Sequence, residues 1–181
     1  MIVVLHNIRS VFNVGSIFRT ADGVGIKKIY LCGITPGPLD KFGDPRKDFI
    51  KISLGAEKFI EWERKYSTIK LLNKLKSGGY EVIAVEQDER SVPYYSVRLP
   101  PPHQTVQGRN DREDNICLVM GAEVGGLPKS VLELADKIVE IPMKGKKESL
   151  NVAVAFGIVV YHLLLTSKVD FKVTPDHTSE V

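Results

Sequence analysis

Five short runs read as strands: Ile2–His6, Lys28–Cys32, Glu81–Val85, Ile116–Met120 and Lys137–Ile141. Several are rich in Val and Ile with no polar alternation, so they need cover on both faces, as in a parallel sheet sandwiched between helices. Helical patterns lie between them, at Asn13–Val24, Thr68–Lys76, Lys129–Ala135 and Leu150–Leu165, with a further short helix expected at Leu54–Trp62. Strands alternating with helices predict an α/β domain with a mainly parallel sheet. A chain of 181 residues is long enough for one real core. Residues 1–167 are therefore read as one domain, and the polar stretch 168–181 as a frayed tail.

Other function classes lose support early. The longest apolar run, Val152–Leu165, is shorter than the roughly 20 residues needed to span a bilayer. The start, Met-Ile-Val-Val-Leu-His, has neither the basic opening nor the cleavage site of a secretory signal. Cys32 and Cys117 sit inside apolar runs and are expected to be buried free thiols, so the expected compartment is the cytoplasm. The histidines His6, His103, His162 and His177 share no ligand spacing, so no metal site is expected. His162, on the last helix, reads as a hydrogen-bonded core residue. A formal net charge of +3 permits an anionic partner such as RNA without requiring one.

Along the first helix Val14, Ile17, Phe18, Ala21 and Val24 repeat at three and four, forming one core-facing stripe. Arg19 falls nearly opposite its centre, with Asn13 and Thr20 in between. An arginine fork there suits a phosphate or a reacting hydroxyl, although a solvated surface arginine fits the spacing equally. Gly15 costs about 1 kcal/mol against alanine in a helix, so either something approaches the backbone there or the first turn frays.

The run Ile116–Met120 leads straight into Gly121-Ala-Glu-Val-Gly-Gly-Leu-Pro, placing Glu123 at the carboxyl edge of a sheet, where open α/β folds bind ligands. The spacing is not G-x-G-x-x-G and no Gly-Lys-Ser/Thr follows, so dinucleotide and P-loop sites lose their best support. After the next strand, ending near Pro142, comes Ser149-Leu-Asn-Val and a helix apolar almost all round, expected to be buried with Ser149 at its cap. Capping does not easily explain Asn151. Two long loops, Gly33–Asp48 and Pro100–Asp114, exceed the usual connection of about 4–6 residues.

Taken together, these segments resemble the SpoU/TrmH family of S-adenosylmethionine-dependent RNA 2′-O-ribose methyltransferases. The first motif is met by Asn13, Arg19 and Thr20. The second is met by Gly121, Glu123, Gly125, Gly126 and Leu127, followed by Asp136 and Ile141-Pro142-Met143. The third is met by Ser149, Leu150, Asn151 and Val152.

The resemblance implies a SPOUT-type sheet with a deep C-terminal trefoil knot. It implies S-adenosylmethionine held by Val85, Glu86, Gly121, Ile141, Ser149 and Leu150, and a catalytic set of Arg19, Asn13, Glu123, Ser149 and Asn151. It also implies a homodimer with tRNA or rRNA bound at the subunit interface; the short apolar run already argues against a membrane partner. Many relatives carry an extra N-terminal RNA-binding domain. Because the first strand begins at Ile2, none is expected here, leaving RNA recognition to the core, the Pro100–Asp114 loop and basic clusters such as Lys144-Gly-Lys-Lys. Two related alternatives are a non-catalytic RNA-binding relative and a knotted methyltransferase acting on a base.

Overall fold

The computed structural model describes residues 1–99 and 115–166. The Pro100–Asp114 loop, the tail after Thr166, His103 and His177 lie outside the described residues.

Seven strands form one sheet: β1 (Ile2–His6), β2 (Lys28–Cys32), β3 (Glu61–Lys65), β4 (Glu81–Val85), β5 (Val92–Pro93), β6 (Ile116–Met120) and β7 (Lys137–Glu140). Their order is β3-β2-β1-β6-β4-β7-β5, and every pairing is parallel. Alternate residues of each strand feed two separate cores. Val3, Leu5, Leu31, Ile83 and Leu118 face a layer made by α1 (Val11–Gly23), α2 (Lys47–Ser53) and α5 (Val152–Thr166). Val4, Cys32, Ala84 and Cys117 face α3 (Thr68–Ser77) and α4 (Lys129–Leu132). The cysteines are buried and free, as expected. Among the described residues no helix is long and apolar enough to cross a membrane.

Several expectations need correction. In place of a helix at Leu54–Trp62, the chain turns through left-handed Leu54 (φ 52°) and Gly55 (φ 92°). It then makes one 3-10 turn at Ala56–Lys58 and enters β3. This strand, Glu-Trp-Glu-Arg-Lys, is an edge strand held by charge: Lys28 on β2 pairs with Glu61 at 2.5 Å and with Glu63 at 3.3 Å. Charged edges of this kind resist pairing with other chains.

The loop expected at Gly33–Asp48 ends two residues early, because α2 begins at Lys47. That helix explains Gly15. A Cβ there would lie 3.0 Å from the Ile52 side chain, so the glycine lets α2 pack onto α1 rather than admitting a ligand.

The last helix is not buried all round. Phe156, Val159, Val160, Leu163 and Leu164 enter the core, while Val154, Tyr161 and Leu165 form an exposed stripe on the other side.

Candidate active site

The chain builds β1, β2 and β3 outward in one direction, then crosses back to build on the other side of β1, so the order in which strands are added reverses between β1 and β6. In open α/β sheets that switch point, at the carboxyl ends of the strands, is where ligands bind. Three connections leave the carboxyl edge beside it and line one groove of about 260 Å³: Val85–Gln87 after β4, Gly121–Gly126 after β6, and Glu140, Ile141 and Met143 after β7. Ser149, Leu150, Val152 and Ala155 at the start of α5 close it. The volume lies just below the usual range of small-molecule sites, about 300–1,000 Å³.

The glycines of the 121–126 turn serve the turn itself. A Cβ on Gly121 would stand 2.9 Å from the Leu127 backbone nitrogen and side chain, where the loop folds back on its own start. Gly126 is left-handed (φ 60°), and the Glu86 carboxylate occupies the space its Cβ would take. Glu86 Oε2 accepts the Leu127 N–H at 2.7 Å and Oε1 accepts the Gln87 N–H at 3.0 Å. Glu86 thus ties the end of β4 to the glycine turn.

Glu123 reaches across the switch point. Its carboxylate accepts the backbone N–H groups of Arg9 (2.9 Å) and Ser10 (3.1 Å) and the Asn13 side-chain amide (2.9 Å). Partial burial pushes its pKa up, but these donors outweigh that and hold the carboxyl below its ordinary value. Asn13, buried at the start of α1, accepts from Asn151 Nδ2 at 3.0 Å. The Asn151 Oδ1 accepts the Ala153 N–H at 2.9 Å, so Asn151 is the N-cap of α5 and Ser149 lies outside the helix. This corrects the expectation that Ser149 supplies the cap. One chain of bonds, Asn151 to Asn13 to Glu123 to Arg9 and Ser10, joins three segments far apart in sequence.

All six residues expected to hold a cofactor line the groove, together with Glu123 and Ser149 of the expected catalytic set. Asn13 and Asn151 stand behind Glu123. Arg19 does not join them within one chain. It is exposed on α1 and lines a separate depression with Phe12, Thr20, Lys51 and Tyr161. Sequence reasoning also missed Gln87, which lines the groove and whose side-chain amide donates to the Glu148 carbonyl at 2.6 Å, tying the end of β4 to the segment just before Ser149. It missed the Arg9 and Ser10 amides too, which as backbone groups carry no side-chain pattern. His162 is hydrogen-bonded as expected, through Nε2 to the Val97 carbonyl at 3.0 Å, with its ring edge-on to Tyr94.

Fold and groove define an open parallel α/β domain that takes a small ligand on backbone turns rather than on a phosphate loop. Comparison with known proteins narrows that class: residues 1–161 match the SpoU rRNA Methylase family, and the chain belongs to it. It is 30% identical over 161 residues to a tRNA (guanosine(18)-2'-O)-methyltransferase of Aquifex aeolicus, covering 89% of this chain and 67% of that protein. It is 28% identical to the 23S rRNA (guanosine-2'-O-)-methyltransferase RlmB of Neisseria meningitidis, covering 88% and 56%. The chain thus spans about two thirds or less of these curated relatives' length. Among solved structures, the A. aeolicus TrmH/SpoU tRNA modifying enzyme superposes with a TM-score of 0.73 at 27% identity, covering 91% of this chain and 74% of that one. An AdoMet-bound rRNA methyltransferase from Sinorhizobium meliloti gives 0.72 at 27% identity, covering 89% and 54%.

Proposed function

We propose that the domain, residues 1–167, transfers a methyl group from S-adenosylmethionine to a ribose 2′-hydroxyl of tRNA or rRNA. The observation that carries this reading is the charge of the groove. Its ionisable lining is acidic, Glu86, Glu123 and Glu140, and no lysine or arginine is among the described residues lining it. Such a groove suits a ligand bearing a cationic sulfonium and ammonium and disfavours the polyphosphate of ATP or NAD. Met120, Ile141, Leu150, Val152 and Ala155 supply apolar wall for an adenine ring, beside the backbone of the glycine turn. S-adenosylmethionine, when bound, supplies the activated methyl group. Val85, Glu86, Gly121, Ile141, Ser149 and Leu150 would hold it.

The rest falls to the chain's own side chains. A 2′-hydroxyl is a poor nucleophile until polarised. The Arg19 guanidinium is a poor base but a good clamp for the hydroxyl oxygen or a neighbouring phosphate. Asn13, Glu123, Ser149 and Asn151 orient the ribose against the groove.

A homodimer would complete the site. Phe12, Ser16, Arg19 and Gly23 recur at helical spacing along the outer face of α1, beside the exposed Val154, Tyr161 and Leu165 of α5. A second copy covering this apolar face would place the RNA at the subunit interface with Arg19 at its edge. A deep trefoil knot in the C-terminal part is also proposed, supported by β4 lying between two strands made after it, β6 and β7. The proposed compartment is the cytoplasm, supported by two buried thiols left free.

The test is transfer of a labelled methyl group to total tRNA and to ribosomal RNA, followed by mapping of the modified nucleotide. Alkali-resistant label on a ribose supports the proposal. Label on a base selects the base-modifying alternative. Cofactor binding with no transfer to either RNA selects a non-catalytic relative.

A further inference from the structure

The turn that presents the Arg9 and Ser10 N–H groups to Glu123 is itself held by a set of bonds outside the groove. It begins at Asn7, whose backbone is left-handed (φ 53°), a conformation that Asn adopts as a single residue when its side chain bonds locally. Its N–H donates to the Cys32 carbonyl at 3.2 Å, and its Oδ1 accepts the Ile34 N–H at 3.2 Å. That oxygen sits where a Cβ on left-handed Gly33 would be, so the amide is packed as well as bonded. The next residue, Ile8, donates its N–H to the buried Thr35 hydroxyl at 3.2 Å.

Because the Ile34 N–H can only donate, the Asn7 oxygen must face it and the NH2 must face His6 Nε2, 3.1 Å away. Nε2 must then accept. The ring proton therefore sits on Nδ1, which donates to Thr68 Oγ1 at 2.7 Å. A proton on Nε2 would set two donors against each other. Turning the Asn7 amide over would only move that conflict to Ile34.

We propose that His6 is a positioning residue for the groove: as the neutral Nδ1–H tautomer it fixes the Asn7 amide, and through it the turn that grips Glu123. The ring bonds the Thr68 hydroxyl from α3; beside it in register on β2 is Cys32, whose thiol is hydrogen-bonded to the same Thr68, with Lys65 at the end of β3 close to Cys32 and itself paired with Glu63. None of these is a free carboxylate that would hold an imidazolium, and burial lowers the His6 pKa below the ordinary value of about 6.5. The turn is thus intact at neutral pH and loosens as pH falls through the His6 midpoint. The consequence for the cofactor rests on the proposed reading of the groove, whereas the coupling of His6 to the turn does not.

The experiment uses the full chain, 15N-labelled, titrated between about pH 5 and 8. Ring nitrogen shifts report the His6 tautomer, and the Arg9 and Ser10 amide resonances report the turn. S-adenosylhomocysteine affinity is measured calorimetrically over the same range for the native chain, His6→Gln and His6→Leu.

The expected result is the Nδ1–H tautomer at neutral pH, with both amides following the His6 midpoint. Affinity of the native chain should fall about tenfold below that midpoint. His6→Gln keeps an acceptor toward Asn7 that does not titrate, so it should bind without that pH dependence. His6→Leu should bind weakly throughout. An Nε2–H tautomer overturns the proposal, as do amides that stay still while His6 titrates, or a native pH profile in His6→Gln. If the amides follow His6 but S-adenosylhomocysteine binds at no pH, the positioning role stands and the cofactor reading falls.

Discussion

Two residues of the proposed catalytic set carry opposite kinds of charge work. Glu123 organises: it accepts three donors and bridges the reversal point of the sheet. Replacing it by Gln puts an amide where only acceptors fit. Since Glu123 is well exposed, solvent screening limits the expected loss to about 1 kcal/mol. The pH sign follows from its depressed pKa. Its contribution is present above the ordinary carboxylate pKa and is lost as pH falls through the lower folded value. The gap in unfolding free energy between native and Glu123→Gln should therefore close on acidification, and a gap constant down to strongly acid pH would contradict this. Arg19, in contrast, is exposed on α1, and its proposed role is to clamp the RNA. Arg19→Ala should cut RNA methylation by about 100-fold or more while leaving cofactor affinity nearly unchanged. Near-normal turnover would remove it from the chemistry.

At the scale of elements, legibility in the sequence followed burial. Four strands have the bounds their apolar runs predicted, and the fifth differs only in its last residue, because strands buried on both faces admit little polar content. β3 escaped because an edge strand of the form Glu-Trp-Glu-Arg-Lys has no apolar signature; two of its carboxylates pair with Lys28 on β2. α2 escaped because seven residues with two buried positions make too short a pattern. In the site, side chains with a fixed spacing were readable. The backbone donors and the bridging roles of Glu86 and Gln87 were not, since they depend on where loops meet.

The glycine turn shows the cost of such a meeting. Gly126→Ala would impose a left-handed alanine, costing roughly 1–2 kcal/mol, and would drive Glu86 off the Leu127 N–H. The melting temperature should drop by roughly 5 °C or more. Cofactor affinity should fall with it, whereas Gly145→Ala, where a Cβ meets nothing within 4 Å, should be silent in both measurements. Equal effects at the two positions would mean that the turn is not under this constraint.

For the whole molecule, the question is what covers the outer face of α5. Leu165 is 59% exposed and Val154 52%, on a helix whose other face fills the main core. A single chain gains nothing from an apolar stripe in water, and burying one large side chain of this kind is worth about 1.5–3 kcal/mol. Phe12, 64% exposed on α1, borders the depression where Tyr161 and Arg19 meet, so the same uncovered face includes the candidate catalytic arginine. If a second copy supplies the cover, Leu165→Glu places a carboxylate in a closing apolar contact, where an unpaired charge is heavily penalised. Within one protomer the same substitution only adds a surface charge, so the fold should survive. Sedimentation should then show a dimer for the native chain and a monomer for Leu165→Glu, with unchanged helix content by circular dichroism. Because Arg19 stands outside the groove of its own chain, the monomer should lose RNA methylation while its groove still binds S-adenosylhomocysteine. A Leu165→Glu protein that remains dimeric would place the interface elsewhere, and a monomer with full methylation would show that Arg19 serves the groove of its own chain.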